Sequence, residues 1–202
     1  LFITSAAQTV TAGAVSSAVT VQAQDMYGNL ASSSAVVSLT STSSTMKFDT
    51  SATGAFNGTV TSITLSGGTG SFYFKDTTAG SYTITISATG LTSASQTETI
   101  TAASATKLVI TSPAQTVAAG NASSAVTVQA QDTYGNLASS SAVVSLTSTS
   151  STMRFDTSAT GAFNGTITSI TLSGGNGSFY FKDTTAGSVT ITISAAGLTS
   201  AT

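Results

Sequence analysis

From Val19 to Gln24 apolar and polar residues alternate one for one, with Val19, Val21 and Ala23 set against Thr20, Gln22 and Gln24. Successive side chains of a strand point to opposite faces, so a period of two predicts a strand with one buried and one wet face. The same rhythm predicts strands over residues 1–5, 17–25, 35–43, 59–67, 70–77, 81–89 and 96–102. In the sixth, Tyr82, Ile84 and Ile86 face the core and Thr83, Thr85 and Ser87 face solvent. Ile63, Leu65, Phe72 and Phe74 are expected to complete the core, with Tyr73 and Lys75 outward by parity. No segment of ten or more residues carries a clean 3.6 period, so no helix is expected. Seven short strands in about 100 residues, separated by turn residues, predict an all-β, immunoglobulin-like sandwich of antiparallel strands.

The pattern then recurs. Leu1–Ser95 aligns without a gap on Leu108–Thr202, and 12 of those 95 positions differ, among them Phe2/Val109, Ala6/Pro113, Met26/Thr133, Lys47/Arg154, Thr69/Asn176 and Tyr82/Val189. Two tandem sandwich domains are therefore expected, residues 1–106 and 107–202. Residues 96–107 lead from the first copy into the second, and no equivalent follows Thr202. The expectation is a segment of a longer tandem array whose second domain lacks its last strand, leaving the sixth strand with an open edge.

Composition narrows the class. The chain has 202 residues, enough for real cores. Ser and Thr make up about three-eighths of it, charged residues 6% and hydrophobic residues 40%. Disorder needs low hydrophobicity with high charge, which is the opposite balance. Thr is at home on the solvent face of a strand. A net charge of −2 lacks the clustered Lys and Arg that capture nucleic acid. No apolar run reaches the 18 residues of a membrane helix, and no signal peptide is visible. Without Cys there is no disulfide framework. A Ser/Thr/Ala/Gly-rich chain with only five Lys and Arg offers trypsin-like proteases few sites, which points to an extracellular location.

Candidate chemistry is sparse. Asp25–Asn29 reads as a turn: Asp accepts backbone N–H groups two residues on, Gly28 takes positive φ and Asn29 tolerates it. Its rival is a calcium site drawing on Asp25, Asn29, Asp49, Asp76 and Glu98, but calcium wants six to eight oxygens and these acids fall in different turns. Ser44-x-x-Lys47 has the spacing of a Ser–Lys nucleophile pair, yet the second copy reads Ser151-x-x-Arg154, and Arg cannot act as a base. Without His or Cys the usual triads and soft metal sets are missing. The runs SGGTGS (66–71) and SGGNGS (173–178) look like phosphate loops, but no Lys-Ser/Thr follows and a hairpin explains the glycines. Lys75 and Lys182 are isopeptide candidates only if buried beside a carboxylate, which outward parity opposes. Asp76 is expected to cap the turn that follows it. Asn57, Asn121, Asn164 and Asn176 lie in Asn-x-Ser/Thr sequons, which permit glycosylation without indicating it. Phe72, Tyr73 and Phe74 would form a sugar platform only if all faced outward, and alternation buries two. No catalytic, cofactor-binding or metal-binding residue is expected, and no cofactor.

The stretches AVTVQAQDxYGN, VVSLTS and GSFYFKDTTAGSxTITISAxGLTSA, present in both copies, together resemble the bacterial immunoglobulin-like (Big-like) tandem repeats of large surface proteins, the invasin/intimin-type group. The Gly/Ser/Thr-rich region from about Thr45 to Gly70 departs from that pattern. The resemblance implies a cell-surface, adhesin-like protein in which such domains are mostly stalks without catalytic residues. The expected role is a non-enzymatic stalk whose partners are neighbouring repeats of the same chain, with neither nucleic acid nor membrane insertion. The alternative is a self-assembling subunit of a filament, sheath or surface layer, in which a strand such as Leu1–Val10 of the next molecule fills the open edge.

Overall fold

The computed structural model describes residues 1–202, and every regular element is a strand. The chain forms two compact units, Leu1–Ala102 and Ala103–Thr202.

Unit 1 holds β1 (Phe2–Ile3), β2 (Thr9–Thr11), β3 (Val19–Gln22), β4 (Val36–Ser41), β5 (Lys47–Asp49), β6 (Ser62–Thr64), β7 (Thr69–Lys75), β8 (Gly80–Ala88) and β9 (Leu91–Thr101). One sheet runs β1-β3-β7-β5 and the other β2-β9-β8-β4-β6. That is the immunoglobulin-like arrangement, with the first part of the chain split between the two sheets. β1 pairs antiparallel with β3, then β2 crosses over and pairs parallel with β9, Thr9–Thr11 opposite Thr99–Thr101. Alternation sends Val19, Val21, Phe72 and Phe74 from one sheet, and Val37, Leu39, Ile84 and Ile86 from the other, into a common core. Phe72 and Ile84 are fully buried, each worth about 1.5–3 kcal/mol of removal from water. Phe48 packs edge-on against Phe72, ring centres 5.6 Å apart. Tyr73 and Lys75 are half-buried on the opposite face.

The seven expected strands are present, with two short additions. β2 and β5 are three residues each, too short to show alternation, and each exists through a partner distant in sequence. β9 also begins five residues earlier than expected, because Thr89 and Gly90, the latter at φ 78°, turn the chain straight back so that Leu91 faces Ala88.

Unit 2 holds β10 (Lys107–Ile110), β11 (Val126–Gln131), β12 (Val143–Ser148), β13 (Arg154–Asp156), β14 (Ser169–Thr171), β15 (Asn176–Lys182), β16 (Ile191–Ala195) and β17 (Leu198–Ala201). No strand corresponds to residues 96–102, as expected, but the sixth strand is not left with an open edge: β17 pairs with β16 and, in parallel at Lys107 and Thr199, with β10. Thr116–Ala118, the counterpart of β2, has no parallel partner and is not a strand, and β16 starts only at Ile191 where β8 starts at Gly80.

Candidate functional site

The Asp-x-Tyr-Gly-Asn segments form the same turn twice. The Asp25 Oδ1 accepts the N–H groups of Tyr27 and Asn29, both at 2.9 Å, and its Oδ2 accepts the Asn29 Nδ2 at 3.0 Å. Gly28 sits at φ 86°, which only glycine adopts freely. The turn closes as Asp25 N–H donates to the Asn29 carbonyl and Gly28 N–H to the Asp25 carbonyl. Asp132 repeats every side-chain bond with Tyr134 and Asn136, and its Oδ2 also accepts the Ala103 N–H at 3.0 Å. Burial by itself would raise the Asp132 pKa. The Asn136 side chain and the N–H groups of Asn136, Ala103 and Tyr134 outweigh it and hold the carboxyl below its ordinary value. Asp25 is lowered too, chiefly by the Asn29 side chain.

The remaining acids each serve their own corner. Asp49 accepts Ser51 N–H at 3.1 Å and Phe56 N–H at 3.3 Å, holding Phe56 at φ 47°. Asp76 is buried: its Oδ1 accepts the Thr45 hydroxyl and the Thr78 N–H, capping the corner as expected, while its Oδ2 has no partner. Asp183 repeats the corner, with the Ser150 and Thr152 hydroxyls and the Thr185 N–H holding its pKa down. Glu98 is fully buried, accepting the Gln8 N–H at one oxygen and the Gln96 side chain at the other. The structure thus does not bring Asp25, Asp49, Asp76 and Glu98 together, and no three acids converge on one point. Sequence reasoning missed the part Glu98 plays, although its parity with Ile100 on β9 was the available signal.

The other candidates resolve in the same local way. Lys47 Nζ donates to the Ser44 backbone carbonyl at 3.5 Å, and Arg154 does so to Ser151 at 2.9 Å, so neither cation sits on the serine hydroxyl. Ser66 and Thr69 exchange both backbone bonds around Gly67 and Gly68, a two-residue hairpin, and the Gly68 N–H is spent on the Ser33 carbonyl. Gly175 does the same toward Ser140. Lys75 faces Lys47 across the sheet, on the opposite face from Asp76, and Lys182 Nζ lies 5.9 Å from the Phe163 ring centre. Phe72 and Phe74 are in the core, so no aromatic platform forms. Asn57 and Asn164 use their side-chain oxygens on Thr59 and Thr166.

Unit 2 carries one sizeable concavity, about 830 Å³, lined by Ile110, Val117, Val126, Phe181, Val189 and Ile191 among others. Their counterparts in unit 1, such as Phe74 and Ile84, are fully buried, whereas Phe181 and Ile191 are half-buried. Thr116–Ala118, the counterpart of β2, forms part of its lining.

No protein-family model matches the chain, and no curated protein matches it. Among solved structures it is similar to domains 1–6 of the surface-layer protein SbsC at 20% identity and TM-score 0.37, covering 94% of this chain and 21% of that one. It is also similar to the D0–D1 domain of intimin at 14% identity and TM-score 0.34, covering 96% and 90%. Invasin, a bacterial integrin-binding protein, aligns at 19% identity and TM-score 0.35, covering 90% and 33%. The chain thus spans about a fifth of the SbsC structure and a third of invasin. These likenesses are too distant to carry an argument, and the immunoglobulin-like fold stands on the strand order.

Proposed function

We propose that this chain is a structural segment, a stalk or spacer, of a large extracellular bacterial surface protein, and that it performs no catalysis. One observation carries the reading. The same sandwich is built twice from nearly identical sequence, and the acids and glycines that looked like chemistry are used up in turns and corners. The resemblance of AVTVQAQDxYGN and its companion stretches to bacterial immunoglobulin-like surface repeats supports the same role. A net charge of −2 makes such a spacer indifferent to salt.

A second reading is a subunit that assembles by pairing its exposed strand edges with another copy. Negative-stain electron microscopy of the chain at micromolar concentration separates the two. The spacer gives separate particles whose size does not depend on concentration or salt. Long regular fibres would overturn it in favour of self-assembly.

A further inference from the structure

The two copies of the Asp-x-Tyr-Gly-Asn turn are alike in backbone and internal bonding, yet their surroundings differ. Asp25 is exposed and Tyr27 is 81% exposed, whereas Asp132 is 0% and Tyr134 46% exposed. Ala31 is half-buried and its counterpart Ala138 is buried. One substitution separates the turns, Met26 for Thr133, and it lies on a side chain that points to solvent. The larger difference is that the segment Ala103–Thr106 lies against the second turn. Ala103 N–H donates to Asp132 Oδ2, Thr106 N–H donates to the Gln131 carbonyl, and Thr106 in turn accepts the Thr199 N–H.

We infer that the Asp-x-Tyr-Gly-Asn turn is a receptor for the peptide segment leading into its own unit, gripped at a main-chain N–H by the carboxylate oxygen that the turn leaves with spare lone pairs. The chemistry explains the choice of residues. A carboxylate has about four acceptor sites, and the turn consumes three with Tyr134, Asn136 and the Asn136 amide, leaving one for a guest donor. The bond is charge-assisted and sheltered, and so stronger than an ordinary peptide bond pair. The guest must bring an unencumbered N–H and little bulk, which Ala102-Ala103-Ser104-Ala105 supplies. The turn of unit 1 presents the same carboxylate geometry at Asp25 and would hold a segment of the same kind set before Leu1. This inference does not depend on the spacer role.

Amide exchange on the full chain tests it. Asp132→Ala is expected to speed exchange at Ala103 and its neighbours by about tenfold, while Asp25→Ala, which breaks an identical turn, leaves them unchanged. Exchange at Val128 and Ile193 reports whether unit 2 stays folded, and Asp132→Asn, which keeps the side-chain shape, serves if the alanine variant does not. A second variant asks for gain rather than loss: Gln96–Lys107 duplicated ahead of Leu1. The added residue equivalent to Ala103 is expected to become protected, and Asp25→Ala is then expected to expose it. Equal exchange at Ala103 in all variants, or a duplicated segment that exchanges as a free peptide, would overturn the inference.

Discussion

At Asp132 one carboxylate closes its own turn and holds the Ala103 N–H, and its pH behaviour follows. Asp25, Asp132 and Asp183 all titrate below the ordinary value of 3.8 in the folded chain. A carboxyl whose folded pKa is depressed gives its stabilisation fully above the unfolded value and loses it as pH falls through the folded one. With no His in the chain, the thermal midpoint is expected to stay nearly flat from about pH 5 to 8 and to fall below about pH 4. Calorimetry across that range checks this, and a midpoint that rises on acidification would contradict it. A second residue-scale prediction concerns Gly54. A methyl group there would lie 2.0 Å from the Asp49 Cγ, displacing the carboxylate that holds Ser51 and Phe56. Gly54→Ala is expected to cost about 1–3 kcal/mol in urea unfolding, whereas Gly187→Ala, which meets nothing within 4 Å, is expected to be silent.

Among the elements, β2 shows what binds the split first strand. Its backbone reaches β9 in parallel, Ala12 N–H donates to the Thr101 carbonyl at 2.7 Å, and Glu98 receives the Gln8 N–H just before the strand begins. Glu98→Ala leaves that half-buried N–H without its acceptor and is expected to destabilise unit 1 by about 1–3 kcal/mol. Exchange at Ala12 is expected to rise first, with unit 2 amides unaffected; uniform loss across both units would refute the local role. The same element marks the limit of what sequence alone discloses. Strands β3, β4, β7 and β8 were legible because Val19/Val21, Val37/Leu39, Phe72/Phe74 and Ile84/Ile86 alternate with polar neighbours over several steps. β2 and β5 were not, since Thr-Val-Thr and Lys-Phe-Asp are three residues long and owe their pairing to Thr99–Thr101 and to Tyr73–Lys75. The start of β9 was hidden because Thr92, Ser93, Ala94 and Ser95 offer no contrast between faces. The turn at Asp25 was readable from its own five residues. The extra bond at Asp132 was not, because its donor Ala103 stands 29 residues away.

For the whole molecule, near-identity makes the two units controls for each other. Phe74 and Ile84 are fully buried while Phe181 and Ile191 remain half-buried beside the groove. The measurement that bears most directly on the spacer role is the length, by negative-stain electron microscopy, of chains carrying two, four and eight copies of the 107-residue period. A spacer predicts end-to-end length rising in proportion to copy number, by about 35–45 Å per unit from the span of its strands. Particles that stay compact as copies are added, or fibres whose length ignores copy number, would contradict it.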